Sequence, residues 1–397
     1  MSGSLTPRHR EHLVHLASWM PFGRAAEVLE RMLGVQVSAT TARRLTEGAG
    51  ATLEALQTGA SCSDPEPEES CAAASPGEKA LVVSADGAYV PLIKGEWAEV
   101  RTLAIGVVDP HPLAPDEEVQ TRDWSYFSRL TDAATFADLA EVETRRRGVT
   151  RAERVAAVLD GAEWLQGFID LHRADAVRIL DFPHAAQRLG EVADLWSQAG
   201  QPLPAGWVQQ QCHCLKYEGP DGVLERLRAM APPDAVTEAF HEHLQYLEKR
   251  RALMDYPTSR QQGWPIGSGS VESANKRVLQ ARLNGAGMRW ARPHVNPMLA
   301  LRTAVCNDRW EESWCLVRRQ ERRHCLQQRQ QRAEARLALL LSRLLLLWLR
   351  GRPQPPVPPG PRLPPAPPAT LPGSCRPSAH HPWKRAILSS AKPRAKR

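Results

Sequence analysis

Apolar residues in the first 60 positions recur every three or four residues, which is the spacing of an amphipathic helix. Residues 8–20 and residues 25–32 each carry one such apolar face. Gly34 follows the second face and is typical of a helix end, and Ser38 is a good N-cap for the helix that comes next. The pattern predicts a small helical region over residues 1–60.

The pattern changes at residue 80, where short apolar and β-branched runs begin. Stretches of helical spacing separate the later runs. The predicted order is β-β-β-α-β-α-β, which is the layout of an RNase H-like α/β domain with a mixed sheet. The predicted strands are residues 80–90, 97–108, 124–130, 154–159 and 176–182, and the predicted helices are residues 136–147 and 163–172.

A helical stretch with several prolines interrupts this pattern over residues 185–262. It is too long for a loop, so we predict an all-helical insertion inside the α/β domain. A glycine-rich run resumes the domain at residue 263, and another helix follows. The predicted apolar face of that helix is formed by Val271, Ala274, Val278 and Ala281.

Three acidic residues occupy positions that suit a metal-dependent active site. The apolar run at the start of the first predicted strand ends in Asp86, Asp160 follows the fourth strand, a glycine follows each, and Glu272 opens the helix after the insertion. Carboxylates are the hard oxygen ligands of Mg²⁺ or Mn²⁺, and two such ions support phosphoryl transfer. Alternatively, each Asp-Gly pair is a turn, and Glu272 forms a surface pair with Lys276.

Two further groups of residues have the character of metal ligands. Asp181 and His184 lie three positions apart after the fifth strand. They are metal ligands, phosphate-handling residues or a structural Asp–His pair. Cys212 and Cys214 flank a histidine, but a second half at zinc-site spacing is missing, which argues against zinc.

The helical region near the N-terminus resembles a helix-turn-helix DNA reader, because a glycine turn separates a short helix from a helix with polar and basic residues. The alternative is an ordinary helical bundle with solvated arginines. The candidate DNA contacts in this region are Thr40, Thr41, Arg43 and Arg44.

The amino-acid composition indicates which class of partner the protein binds. The 397 residues carry 51 basic and 44 acidic side chains, a net charge of +7 that favours nucleic acid, although a merely basic soluble protein fits as well. The eight cysteines form no paired framework and no secretory signal opens the chain, so we expect a cytoplasmic, nucleoid-associated protein. The leucine-rich run at residues 337–349 is too short to span a membrane.

Linked motifs resemble those of bacterial insertion-sequence transposases of the ISKra-four type, which are relatives of the Mutator-like DDE group. The resemblance covers about residues 5–315. The motifs that carry it are SADGAYVPL (84–92), GEWAEV (95–100), YFSRL (126–130), DGAEW (160–164), ILDFPHAA (179–186), IGSGSVE (266–272) and RLNGAGMRW (282–290).

The resemblance implies that Asp86, Asp160 and Glu272 are the catalytic, metal-binding acids of an RNase H-like core that contains the helical insertion. It matches Asp181 and His184 to the Asp/Cys-x-x-His element of the wider group. The implied activity cleaves element ends and joins the 3′ hydroxyl to target DNA with two Mg²⁺ (or Mn²⁺) ions. The implied partners are the terminal inverted repeats, the target DNA and further copies of the chain. Lys276 and Arg277 are further candidate DNA contacts, besides those of the N-terminal helical region.

Three alternatives remain at this stage. Asp181 also ends a strand and rivals Asp160 as the second acid. Relatives usually carry a cysteine-rich segment before the helical region, and we expect that segment to be missing here, so a truncated, catalytically silent protein that binds element ends as a repressor is the second candidate function. A two-carboxylate sugar hydrolase is weaker, because it needs two acids rather than three.

These expectations divide the chain into seven segments. They are a helical DNA-binding region (1–60), a linker (61–78), the first part of the catalytic domain (79–184), the helical insertion (185–262), the second part of the catalytic domain (263–315), a basic and leucine-rich helix (316–352), and a proline-rich basic tail expected to be disordered (353–397).

Overall fold

The computed structural model describes residues 5–61, 80–109, 119–267 and 269–350. Within these residues the protein is α/β, with five strands in one mixed sheet and helices on both faces. The predicted proline-rich tail and nearly all of the predicted linker lie outside the described residues. The strands are β1 (Ala80–Pro91), β2 (Trp97–Val108), β3 (Thr121–Arg129), β4 (Arg154–Leu159) and β5 (Val177–Leu180).

The strand order in the sheet is β3-β2-β1-β4-β5. β1, β2 and β3 pair antiparallel, whereas β4 runs parallel to β1 and β5 runs parallel to β4. The predicted α/β class and mixed sheet are therefore confirmed, and the sheet is compatible with an RNase H-like fold. The predicted bounds of β2 and β4 match the structure, and β5 is shorter than predicted.

The helices fall into groups before, between and after the strands. Those before the sheet are α1 (Pro7–Trp19), α2 (Phe22–Leu33) and α3 (Ala39–Ser61). Those among the later strands are α4 (Ala133–Arg146) and α5 (Glu163–Arg173). Those after the sheet are α6 (Phe182–Gln198), α7 (Trp207–Tyr217), α8 (Pro220–Ala229), α9 (Thr237–Lys249), α10 (Tyr256–Gln261), α11 (Gly269–Ala274), a π-helix (Asn275–Gln280), α12 (Ala281–Leu283), α13 (Arg292–Cys306) and α14 (Trp310–Arg350).

Alternation along β1 separates two hydrophobic cores. Leu81, Val83 and Ala85 share one core with residues of α4 and α5. Val82 faces the other way and shares a second core with residues of α6 to α10. Side chains alternate in this way because successive residues of a strand point to opposite faces of the sheet. The helices of residues 185–262 thus cover one face of the sheet.

The N-terminal helices form where the apolar spacing predicts them. Gly34 ends α2 in the left-handed region with φ 66°, and the Ser38 hydroxyl oxygen accepts a hydrogen bond from the backbone N–H of Thr41 at 3.1 Å. Both predicted caps are therefore confirmed. α3 is longer than its N-terminal pattern indicates, and Ala49 and Leu53 pack in a core with α13.

Two buried arginines, which we call the arginine joint, connect α1 to the C-terminal helices. Arg302 on α13 donates from Nη1 to the carbonyl oxygen of Ser18 at 3.0 Å, from Nε to that of Val278 at 3.1 Å, and from Nη2 to that of Arg277. Arg282 donates from Nε to the carbonyl oxygen of Ala17 at 2.8 Å. The joint therefore closes the C-terminal end of α1, where carbonyl groups lack helical partners.

Aromatic rings flank the same guanidinium groups. Arg282 lies 4.8 Å from the ring centre of Phe22 and 5.1 Å from that of Trp290, and Arg302 lies 4.4 Å from that of Trp19. Burial, reinforced by the neighbouring Arg302, lowers the pKa of Arg282 to about 10. Both groups stay charged at neutral pH, and the rings and carbonyl oxygens are what stabilise that charge.

The chain divides into two compact units, residues 1–329 and residues 330–397. In the second unit, residues 330–350 are helical, and leucines such as Leu337, Leu344 and Leu347 are exposed. No helix in the described part of the chain is long and apolar enough to cross a membrane.

Candidate active site

Asp86 and Asp160 occupy equivalent positions on two neighbouring parallel strands. The register pairs Val83 of β1 with Ala157 of β4, and each aspartate comes three residues later in its own strand direction. Equal offsets along adjacent parallel strands place two side chains side by side, because parallel strands advance together. The structure thus brings these two predicted site residues to one edge, which we call the acid edge.

The carboxylate of Asp86 is largely buried and has two hydrogen-bond donors. Its Oδ1 accepts from the backbone N–H of Gly87 at 2.7 Å, and its Oδ2 accepts from Nδ2 of Asn275 at 3.0 Å. Burial is the main reason that the pKa of Asp86 rises to about 6, and the charge of Asp160 adds to the increase. The two hydrogen bonds and the nearby His184 act in the opposite direction without cancelling the effect.

The backbone around Asp160 is held by the end of α9. The Tyr246 hydroxyl donates to the carbonyl oxygen of Asp160 at 2.8 Å, and Arg250 donates from Nη2 to the carbonyl oxygen of Gly161 at 2.7 Å. Gly161 has φ 85°, and a Cβ atom there would lie 2.4 Å from Nε of Arg250. Glycine is needed at this position because the backbone is left-handed and the guanidinium is in close contact.

Asp181 and His184 form a hydrogen-bonded pair at the start of α6. His184 Nδ1 and Asp181 Oδ2 are 2.5 Å apart, and Asp181 is fully buried. The hydrogen bond to Asp181 is the main reason that the pKa of His184 is raised, and the charges of Asp160 and Asp86 raise it further. The pair therefore lies at the acid edge, with His184 in the electric field of both aspartates.

Asp160 and Asp181, the two candidates for the second acid, differ in their surroundings. Asp181 is engaged with His184, and its backbone N–H donates to the carbonyl oxygen of Leu159 at 2.7 Å. Asp160 is partly exposed, and its Oδ1 accepts a hydrogen bond from the backbone N–H of Ala162 at 2.8 Å. Of the two aspartates, Asp160 is the one whose charge raises the pKa of Asp86.

Glu272 lies on α11, and its side chain is 50% exposed. Its Oε2 is 3.8 Å from Nζ of Lys276, which is the surface pair that the sequence allows. Among the described residues, no group of three or more His, Cys, Asp or Glu side chains is close enough to hold a metal ion. The three acids named from the sequence thus do not form a closed ligand set in this structure.

A divalent cation nevertheless fits the donors of the acid edge. The carboxylates of Asp86 and Asp160 interact electrostatically there, and the pKa of Asp86 is raised to about 6, as expected for a buried carboxylate near a second negative charge. The Oδ1 atom of Asn275 is also buried at the same edge and has no hydrogen-bond partner among the described residues. These are oxygen donors of the kind that Mg²⁺ and Mn²⁺ prefer.

Sequence reasoning missed Asn275. The signal was present, because Asn275 lies between Ala274 and Val278 on the predicted apolar face and is a polar residue at a buried position. A polar side chain on such a face needs a partner inside the protein. That partner is Asp86, which lies far away in the sequence.

The candidate DNA contacts lie on two elements. At the N-terminal end of α3, Thr40, Arg43 and Arg44 are exposed and Thr41 is partly exposed. Lys276 and Arg277 lie on the π-helix and are exposed as well.

The cysteine-rich run lies inside α7, where Cys212 and Cys214 pack at the edge of the second core. Burial raises the pKa of the Cys212 thiol, as expected for a packed and inert cysteine. His213 packs against the ring of Tyr217, with ring centres 4.6 Å apart. The two cysteines and the histidine therefore make packing contacts within and around α7.

A cavity of about 580 Å³ lies at the opposite ends of β4 and β5. Arg154 lines it and lies 4.4 Å from the ring centre of Trp264. Two acidic residues, Glu153 and Asp175, also line it, and Asp175 is paired with Arg173 at 2.7 Å. Because two arginines line the cavity and one of them neutralises Asp175, the cavity is a weaker candidate for metal chemistry than the acid edge.

No protein-family model matches this chain, and no curated protein matches it.

Proposed function

We propose that this protein is a DNA transposase of the DDE type, which cleaves the ends of an insertion sequence and joins the 3′ hydroxyl to target DNA. The observation that carries the proposal is the equal register of Asp86 and Asp160 on parallel strands, together with the pKa of about 6 at Asp86. The mixed sheet, the net charge of +7 and the motifs that resemble insertion-sequence transposases support it.

In this proposal Asp86 and Asp160 are the residues that would hold the divalent cations. Divalent cations in such a site activate the attacking hydroxyl and stabilise the departing 3′ oxygen. Hydrogen bonds from Gly87 and Asn275 fix the orientation of the Asp86 carboxylate, and Tyr246 fixes the backbone at Asp160.

His184 has a complementary role in the proposal. Its Nδ1 is engaged by Asp181, and its raised pKa favours the protonated ring. Nε2 of this cation is then a donor for a phosphate oxygen of the DNA backbone. The DNA itself is bound by the basic residues of α3 and by Lys276 and Arg277.

Glu272 is the third acid of the proposal. It lies three residues before Asn275, which contacts Asp86, so the two positions are separated by about 4.5 Å along a helix axis. The ion pair with Lys276 is exposed, and such pairs contribute little to stability. Glu272 can therefore leave Lys276 and bind a cation at little cost in stability.

The proposal is tested with the full chain, Mn²⁺ or Mg²⁺ and duplex DNA that contains the element ends. Replacing Asp86, Asp160 or Glu272 with Ala is expected to reduce strand cleavage at least about a thousandfold, because these groups act as one unit. DNA binding should stay near the wild-type level. Asp170→Ala is the matched control, since Asp170 is an exposed acid that pairs with Arg178 on the surface.

Cleavage that survives all three substitutions would contradict the assignment. A second function, repression by binding to element ends without cleavage, is favoured by the Glu272–Lys276 pair, in which the third acid is engaged by a lysine. Binding of the element ends by a wild-type chain that never cuts them would establish this second function.

A further inference from the structure

Asn275 is a buried polar residue in direct contact with the acid edge. It is 4% exposed, and its Nδ2 donates to Oδ2 of Asp86 at 3.0 Å. The contact joins the helical segment after Glu272 to β1 by way of a carboxylate. Most side-chain hydrogen bonds in proteins go to backbone or water, so a buried amide–carboxylate pair between distant segments calls for a specific explanation.

The helix geometry places Asn275 at this position. Asn275 is the first residue of the π-helix Asn275–Gln280, which directly follows α11. π-Turns are less favourable than α-helix and occur frequently at functional sites. The wider turn also shifts the buried face, because the predicted apolar residue Ala281 is exposed whereas Arg282 and Leu283 are buried. The prediction for Ala281 was therefore wrong, since it assumed an uninterrupted α-helical period.

The second polar atom of the same amide remains unused. Oδ1 of Asn275 is buried and accepts no hydrogen bond from the described residues. A buried acceptor of this kind is normally satisfied by a ligand or by water. The oxygen and nitrogen of one amide are about 2.2 Å apart, which puts Oδ1 within about 5 Å of Oδ2 of Asp86.

The surroundings select the kind of ligand that Oδ1 accepts. An anion is disfavoured, because the carboxylates of Asp86 and Asp160 lie at the same edge. Amide oxygens and carboxylates together are a ligand set for a hard divalent cation or for the water molecules bound to it.

We propose that Asn275 is a further residue of the cation site at the acid edge, where Nδ2 orients Asp86 and Oδ1 serves the coordination shell of the cation. This inference rests on the proposed function, which places a divalent cation at Asp86 and Asp160. Asn275 is thus a positioning residue for Asp86, and its oxygen adds a neutral donor to two negative ones.

The chain offers a matched control for this role. Nδ2 of Asn284 donates to the carbonyl oxygen of Tyr89 at 3.0 Å, so Asn284 also joins the segment after α11 to β1. It does so without touching a carboxylate. Comparing the two asparagines separates a role in the cation site from a role in fastening the helices to the strand.

The test measures Mn²⁺ affinity of the full chain, by titration calorimetry and by the paramagnetic resonance of free Mn²⁺. Asn275→Ala and the volume-conserving Asn275→Leu are expected to weaken Mn²⁺ binding about tenfold or more, as loss of a residue that supports a metal ligand typically does. Asn284→Ala should bind Mn²⁺ within about twofold of wild type. Circular dichroism and urea unfolding without Mn²⁺ check the fold of each variant.

Each result bears on the inference. Wild-type Mn²⁺ affinity in folded Asn275 variants would overturn it, and so would equal losses in the Asn284 variant. If neither Asn275 variant folds, Asn275 is a core residue and the inference fails. If wild type binds no Mn²⁺, or if Asp86→Ala leaves Mn²⁺ affinity unchanged, the cation site of the proposed function fails and the inference fails with it. Loss of affinity in Asp86→Ala alone would overturn the inference and leave the proposed function standing.

Discussion

The arginine joint and the acid edge both contain buried charged groups, but they differ in how completely hydrogen-bond partners compensate the charge. In the joint, Arg302 donates from three nitrogens to three carbonyl oxygens and stacks on Trp19. At the acid edge, Asp86 has two donors, a neighbouring aspartate and a pKa raised to about 6. A buried charge with matched partners stabilises a fold, whereas one that remains uncompensated indicates a place for a ligand.

The comparison is tested most strongly at the joint, by Arg302→Met. Met keeps much of the apolar volume but leaves the carbonyl oxygens of Ser18, Val278 and Arg277 without their donor. We expect the free energy of unfolding, measured with urea, to fall by about 3–5 kcal/mol. Arg24→Met is the control, because Arg24 forms an exposed pair with Glu27 and should change stability by less than about 0.5 kcal/mol. A loss at Arg302 as small as at Arg24 would remove the contrast between the regions.

At the acid edge we expect Asp86→Asn to increase the free energy of unfolding rather than to lower it. The pKa of Asp86 is about 6 in the folded chain, compared with about 3.9 in an unfolded one, so folding favours the protonated form. Wild-type stability therefore falls as pH rises from about 4 to 6, and the neutral amide escapes this loss. In EDTA at pH 8 we expect a gain of up to about 3 kcal/mol that disappears below pH 4.

The measurement is urea unfolding of both proteins across this pH range. The amide introduced in Asp86→Asn can donate to Oδ1 of Asn275 once the Asn275 amide turns over, so the hydrogen bond survives the change. Asp170→Asn, at an exposed acid, should show no such gain. If the difference in unfolding free energy between wild type and Asp86→Asn does not change with pH, ionisation of Asp86 does not destabilise the fold.

The smallest expected change in stability concerns Arg250 at the acid edge. Like the arginines of the joint, it donates hydrogen bonds to a backbone carbonyl oxygen, that of Gly161. Gly161→Ala introduces both left-handed backbone strain and a clash with Arg250, whereas Gly206→Ala, with φ 81° and open space around it, introduces strain alone. We expect losses of about 2 and about 1 kcal/mol respectively in urea unfolding. Equal losses would mean that Arg250 moves freely and does not hold the loop.

Much of the sheet could be predicted from the sequence, because apolar runs that end in Asp-Gly are strong local signals. β4 and β2 have the predicted bounds, and Asp86 and Asp160 end up together as expected. What local patterns cannot show is register between distant strands. Asp86 lies inside β1 and Asp160 directly after β4, and these placements do not by themselves put the two at the same height in the sheet.

Helices were predicted less well where polar residues are buried. Within the predicted all-helical insertion, α7 has a weak pattern, because its buried residues are few and include Gln211. α9 ends at Lys249 and a short 3-10 turn follows, a break that the apolar spacing does not indicate. Arg250 at this break holds Gly161, a contact between segments that no periodicity reveals.

Only part of the candidate site could be predicted, because its other residues are recognisable only from tertiary contacts. Carboxylates after strands are recognisable, whereas Asn275 looks like an error in an apolar face until Asp86 is placed beside it. Arg282 and Arg302 are likewise indistinguishable from solvated charges in a sequence. Their burial follows from tertiary contacts with α1, which a local pattern does not contain.

The distance in sequence between the parts of the acid edge has a consequence for a chain still on the ribosome. Asp160 lies 115 residues and Asp86 189 residues before Asn275, so both emerge at least roughly 6–23 s earlier at ordinary translation speed. During that interval the nascent chain carries two aspartates without the segment that orients one of them. The order of synthesis therefore keeps the acid edge incomplete until most of the protein has been made.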